Sequence, residues 1–136
     1  MRKLIDAVAG DEIELPKDML WVDEFNWSKV EMNVEYALSG ALHTQSGTKL
    51  KGRHITLEAP DDSMAWVGRE TLEALYEKSI VAAREFTLVL GSAPNERLFN
   101  VAFRHNEQAL EASPVYRWQP EGGDSMFKIT LRLIEV

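Results

Sequence analysis

The chain has no cysteine among its 136 residues. That absence removes disulfides, thiolate zinc sites and cysteine nucleophiles together. The core must form without covalent help, and an intracellular origin is consistent with this. Long apolar runs are missing too: none exceeds four residues, as in 19–22 and 80–83, whereas a membrane helix needs about twenty. The start, Met1-Arg2-Lys3-Leu4-Ile5-Asp6, opens like a signal peptide but meets Asp6 before any apolar stretch of the required length. A soluble protein without a removed leader or a membrane partner is expected. Positive charge is also scarce, with 15 Lys and Arg against 22 Asp and Glu for a formal charge of −7. The densest basic cluster is Lys49, Lys51 and Arg53. Such a balance repels a phosphate backbone, so specific nucleic-acid binding is not expected.

What is present is an ordinary globular composition, 45% hydrophobic and 27% charged, in a length that suits one domain. Residues 1–136 are read as that domain, with 1–18 as an arm or short edge strand. Leu20-Trp21-Val22 reads as a short strand. From Val30 the alternation is strict: Val30, Met32, Val34, Tyr36, Leu38 and Leu42 share one face with Gly40, and the other face runs from Glu31 to His43. That second face turns from charged to small and neutral halfway along. Gln45-Ser46-Gly47-Thr48 offers turn chemistry and Arg53–Glu58 alternates again, so a long hairpin over about residues 30–58 is expected.

A continuous strand from Val30 to Thr44 would be about 50 Å long, whereas a compact domain of this size is about 37 Å across. Either the hairpin overhangs its own core and adds to a neighbouring subunit, or Gly40 marks a bend that divides it into two ordinary pieces wrapping one barrel.

Leu72, Leu75, Tyr76 and Ser79 recur at helical spacing, predicting a helix over 69–79 that follows a short strand or staple at 64–67. Strands are expected at 86–90, 98–104 and 127–133. Pro114 demotes 109–118 to an edge strand or bulge, and 119–124 reads as a turn. The class is α+β, mostly antiparallel β.

The side chains that could carry chemistry lack the context for it. His43 and His54 flank the 45–52 connection like a two-ligand metal pair, but no third ligand is near, and His105-Asn106-Glu107 reads as a polar turn. Asp23-Glu24 and Asp61-Asp62 occupy turns, where neither carboxyl would have its pKa raised by burial. No serine lies in Gly-x-Ser-x-Gly, and 91–95 lacks the second glycine and the Lys-Ser/Thr of a phosphate loop. No catalytic residue, metal or cofactor is expected, and no enzyme. Among the tryptophans, Trp21 and Trp66 are assigned to the core and Trp27 and Trp118 to an interface. The candidate assembly residues are therefore Gly40, His43, Gln45, Gly47, Lys49, Lys51, Gly52, Arg53, His54, Trp27 and Trp118.

Several runs together resemble a family. They are Trp21-Val22-Asp23-Glu24-Phe25, Leu38-Ser39-Gly40-Ala41-Leu42, Gly52-Arg53-His54-Ile55-Thr56-Leu57, the 66–75 segment, 99–105 and Leu131-Arg132-Leu133-Ile134-Glu135-Val136. Over most of 20–136 the chain resembles small prophage tail proteins of the distal-tail and tail-completion kind. That resemblance implies a β-barrel or split barrel with a flanking helix. It also implies a non-enzymatic baseplate or tail-tip ring, usually hexameric, in the tail of a virion made in the bacterial cytoplasm. Its partners would be other copies and other tail proteins. The chain lacks the second, receptor-facing domain of such proteins, so a connecting role is implied rather than host recognition. A small β-barrel module for a carbohydrate or another ligand is the alternative.

Overall fold

The closing segment forms the longest strand of the protein and organises the others around it. The computed structural model describes residues 2–91, 94–115 and 125–136. Its elements are β1 (Arg2–Asp6), β2 (Glu12–Leu15), β3 (Leu20–Trp21), β4 (Val30–Tyr36), β5 (Leu42–Thr48), β6 (His54–Glu58) and β7 (Trp66–Gly68). There follow α1 (Arg69–Ser79), β8 (Glu85–Leu90), β9 (Arg97–Phe103), β10 (Leu110–Pro114) and β11 (Met126–Glu135). All strand pairings are antiparallel. The fold is thus mostly antiparallel β, with one short helix among the described residues.

In β11, Phe127, Ile129, Leu131 and Leu133 point into the core while Lys128, Thr130 and Arg132 lie between them on the other face. Its ten residues serve four neighbours. Along one edge β6 pairs near the carboxyl end and β7 near the amino end; along the other, β9 and β10 divide the length in the same way. The main path runs β2-β1-β8-β9-β11-β6-β3. Strands β2 and β3 end this path without pairing to each other, so the sheet does not close into a barrel.

Residues 2–18, expected as an arm or short edge strand, form no free arm: they are built into the body, where β2 is an edge strand. Strand β1 lies between β2 and β8, and Leu4, Ile13 and Leu15 are buried. The scattered apolar residues that conceal a period are the inward positions of two very short strands joined by a turn. Asp6 closes that turn: its carboxylate accepts the N–H groups of Val8 (2.9 Å) and Ala9 (3.2 Å). The same carboxylate meets Lys78 Nζ at 3.0 Å and an Arg84 guanidinium nitrogen at 2.8 Å. Burial works against ionisation, but the two amides, Lys78 and Arg84 outweigh it and hold the Asp6 carboxyl well below the ordinary carboxylate range. Lys78 also meets Asp11 at 2.9 Å. The amine is raised by hydrogen bonds to Asp11 and then Asp6, which fastens the last turn of α1 to the β1–β2 turn.

The helix occupies 69–79 as its spacing predicts and buries Leu75, with Leu72 and Ala74 packed at the core margin. Tyr76, placed on the same face by periodicity, is exposed. Trp66 also departs from expectation. In a three-residue strand only one phase faces inward; Val67 takes it and turns the Trp66 ring outward, where its indole N–H donates to the Asp62 carbonyl at 2.9 Å. Trp21 is buried as expected, edge-on to Phe99 at 5.4 Å and beside the guanidinium groups of Arg53 and Arg97 at 4.6 and 5.5 Å.

The region 30–58 differs most from the sequence reading. Gly40, with φ +87°, sits in a tight turn where Ala37 N–H donates to Ala41 O and Gly40 N–H to Ala37 O. The chain reverses there, and β4 pairs with β5 from Val30↔Thr48 to Tyr36↔Leu42 as a separate two-stranded sheet. Gln45–Thr48 is therefore strand rather than turn, and Arg53–Glu58 leaves the hairpin and its β6 portion pairs with β3 and β11. The hairpin spans 30–48, not 30–58. Gly40 divides the long alternation as the second reading held, but the two pieces pair with each other instead of wrapping a barrel. An unbroken period of two continues through a glycine turn, so alternation alone does not reveal the reversal.

Candidate assembly surface

Every residue of β4 and β5 is exposed. Directly paired residues share a face, so Val30, Met32, Val34 and Tyr36 stand beside Thr48, Ser46, Thr44 and Leu42. That face is apolar along β4, hydroxylated along β5 and free of charge. The opposite face pairs Glu31 with Gly47, Asn33 with Gln45 and Glu35 with His43. Exposure of Val30, Met32, Val34, Tyr36 and Leu42 runs from 43% to 75%. They present an apolar strip on the order of several hundred Å², a size that marks interaction surfaces on soluble proteins. Such a two-stranded unit, resting on no other sheet among the described residues, is marginally stable by itself in water.

The root of the hairpin is tied to the body. Lys49 N–H donates to Lys29 O at 2.7 Å, Lys49 Nζ lies 3.3 Å from Glu31, and the same amine sits 5.4 Å from the Trp27 ring centre. Beyond Lys51, Gly52 (φ +106°) donates its N–H to Glu135 O at 3.0 Å, and Arg53 O accepts from Glu135 N–H at 2.8 Å. Arg53 reaches back to the Glu24 carbonyl and covers Trp21. A neighbouring ladder continues into the interior: Thr56 Oγ1 donates to Asp23 at 2.8 Å and accepts from buried Arg104 at 2.9 Å.

The sequence-derived candidates thus fall into three places. Gly40 shapes the tip, His43, Gln45 and Gly47 line the polar face, and Trp27, Lys49, Lys51, Gly52, Arg53 and His54 belong to the root and to the first residues of the body. His43 stands opposite Glu35 on the small sheet while His54 stands opposite Ile134 on the large one, so they do not face each other across one hairpin. Trp118 lies outside the described residues. Among the described residues no group of three His, Asp or Glu is arranged to hold a metal ion, and no helix is long and apolar enough to cross a membrane.

The sequence reading missed the apolar strip itself. Val30, Met32, Val34, Tyr36 and Leu42 looked like a buried strand face, yet among the described residues no element covers them. The available signal was the β5 partner row, Thr44, Ser46 and Thr48, which is too polar for the centre of a core.

Two of the open clefts away from the hairpin lie beside β10 and beside β7. One of about 430 Å³ is lined by Gln108, Glu111, Ala112, Ser113, Lys128 and Thr130 beside β10. Near it, a 2.7 Å hydrogen bond and the charge of Lys128 pull the Asp62 carboxyl below its ordinary value. The other, of about 350 Å³, opens between the end of β2 and β7, with Leu15, Pro16, Trp66, Val67 and Thr71 in its wall and Glu14 and Lys17 beside them. No protein-family model, curated protein or solved structure matches this chain.

Proposed function

We propose that this protein is a non-enzymatic structural subunit that assembles with copies of itself and with partner proteins through the 30–48 hairpin. The observation that carries the reading is the uncharged, apolar face of a two-stranded sheet with every residue exposed. A core strand gains its stability from what covers it; among the described residues nothing covers this face, and in this reading the cover comes from another molecule. The resemblance of 21–25, 38–42, 52–57 and 131–136 to distal-tail and tail-completion proteins gives this assembly its context. That context is a baseplate or tail-tip connector ring of a bacteriophage, hexameric by analogy, located in the virion tail. The open sheet, with α1 packed against β2, β7, β10 and β11, supports a split-barrel description of the body.

Mass photometry of the full chain, alone and with neighbouring tail proteins, tests the reading. A discrete species near six times the monomer mass is the expected result. A monomer across the accessible concentration range under both conditions refutes it. The alternative, a β-barrel module for a carbohydrate or other ligand, draws on the outward Trp66 ring beside the 350 Å³ cleft. Saturable quenching of tryptophan fluorescence by one member of a glycan panel would favour it.

A further inference from the structure

We propose that the outer edge of β5 pairs with β5 of a second copy of this chain, antiparallel about a twofold axis at Gln45, joining two hairpins into one sheet. The inference rests on the assembly reading and names the strand through which copies meet. Within the hairpin, Ala37 N–H donates to Ala41 O at 2.8 Å and Lys49 N–H to Lys29 O at 2.7 Å. Both pairs continue the register of β4 and β5, so the odd-numbered residues exchange the internal bonds. The N–H and C=O groups of Leu42, Thr44, Ser46 and Thr48 therefore face away from β4, and among the described residues no strand lies along that edge.

Other edges of the fold carry the features that keep strands from pairing. Strand β2 presents Glu12 and Glu14, β10 contains Glu111 and ends in Pro114, and β3 is two residues long. The outer edge of β4 is guarded twice: Glu31 and Glu35 stand along the strand, and the Ser28 hydroxyl already donates to the outward Val30 carbonyl at 2.8 Å. Strand β5, Leu-His-Thr-Gln-Ser-Gly-Thr, has neither an acidic or basic residue nor a proline over its 7 residues. Two copies that each carry −7 repel over most of their surface; meeting along β5 brings no carboxylates face to face.

A second copy is selected by the sequence of the strand, which is complementary to itself. With the axis at Gln45 the whole strand finds partners: Leu42 meets Thr48, His43 meets Gly47, Thr44 meets Ser46, and the two Gln45 side chains meet on the axis. The outward-facing residues then fall opposite one another, giving about eight interchain hydrogen bonds. Thr44 and Ser46 make a favourable hydroxyl pair. A Cβ at Gly47 would have nothing within 4 Å, and the His43 ring of the other copy covers that gap, as aromatic rings do over strand glycines. The pairing places Val30, Met32, Val34 and Tyr36 of both copies on one face of a sheet of about four strands, large enough to be stable where a lone hairpin is not. Each root lies beside the other copy's tip, so the two bodies sit at opposite ends without colliding. Dimers of this kind, joined by a further contact, build hexamers of dihedral symmetry.

The absence of native cysteine allows a direct test with the full chain. On the axis, the two Gln45 Cα atoms would be about 4.5 Å apart, within reach of a disulfide, whereas Asn33 of the two copies would be about 14 Å apart. Under mild oxidation Gln45→Cys should therefore couple to itself at least about tenfold faster than Asn33→Cys does. Ser46→Pro removes an outward N–H and no bond to β4, so it should weaken self-association at least about tenfold, the loss of two interchain hydrogen bonds, with an unchanged urea midpoint. If the proline lowers that midpoint, the cysteine rates decide alone. If wild type assembles but the two cysteine variants couple equally fast, or a stable Ser46→Pro assembles normally, β5 is not the contact and the assembly reading survives. A disulfide that forms fastest between Gln45→Cys and Asn33→Cys proteins would pair β5 with β4 of the neighbour and overturn the twofold arrangement. A wild type that is monomeric at every concentration overturns both readings.

Discussion

Removing the hairpin tests whether it belongs to the body or to an interface, and the bonds at its root determine where to cut. A deletion of 44–52, the natural choice from the sequence, would remove most of β5, the one partner of strand β4 among the described residues. It would also take Gly52, whose N–H holds Glu135 at the end of β11, so unfolding would follow for reasons unrelated to assembly. Replacing 30–48 by Gly-Gly is cleaner, because Lys29 and Lys49 are already joined by a 2.7 Å backbone hydrogen bond, the geometry a two-residue turn can close. The replacement loses an exposed Lys49–Glu31 pair, worth at most about 1 kcal/mol, and no buried side chain. Shortening a loop from roughly twenty residues to two lowers its closure entropy by about 2 kcal/mol. Stability should therefore be unchanged or up to about 2 kcal/mol higher. Urea unfolding followed by tryptophan fluorescence measures this directly, since all four tryptophans lie outside the deleted span. A loss of more than about 2 kcal/mol, or a collapse of the denaturant slope, would mean that the hairpin is part of the folding unit. A stable variant that still assembles would remove it from the interface.

Three further substitutions probe the body. Leu131→Ala empties the centre of β11, where the side chain is fully buried, and should cost about 2–5 kcal/mol in the same urea assay. Thr56→Val keeps the shape but removes the hydroxyl joining Asp23 to buried Arg104, for an expected loss of about 1–3 kcal/mol; an unchanged midpoint would show that the ladder contributes nothing. Asp6→Asn bears on pH dependence. The native carboxyl ionises below its ordinary value of 3.8, so its stabilisation is complete above that value and is lost as pH falls through the lowered native pKa. The variant should be less stable at neutral pH and show a flatter decline in stability below pH 4. A decline as steep as in wild type would place the acid sensitivity in other carboxylates.

The body was largely legible in the sequence because its long elements follow one rule each. The helix over 69–79 came from Leu72 and Leu75, the closing strand from Phe127, Ile129, Leu131 and Leu133, and the pair read as 86–90 and 98–104, which forms Glu85–Leu90 and Arg97–Phe103, from apolar runs on either side of the sequence Gly-Ser-Ala-Pro. Short elements were less legible. A strand of four residues, such as β2, shows only two inward positions, Ile13 and Leu15, too few to establish a period against flanking acids. Trp66 was misplaced for a related reason: in a three-residue strand the phase is set by the partner strand, and pairing with Lys128 fixes the ring outward.

The hairpin exposes a deeper limit. Alternation records that one face of a strand avoids water; it does not record which molecule keeps the water away. Val30, Met32 and Val34 satisfy the pattern of a core strand as fully as Ile129, Leu131 and Leu133 do, and the two rows differ only in what lies across from them. Opposite the β11 row stand Ile55, Leu57 and Phe103; opposite the β4 row stand Thr44, Ser46 and Thr48. A core demands apolar residues from both partners, whereas an interface can draw them from one strand of this chain and from a surface on another. The polarity of the cross-strand partner is thus the sequence feature that separates the two. It becomes readable only after Gly40 is recognised as the reversal that sets the register.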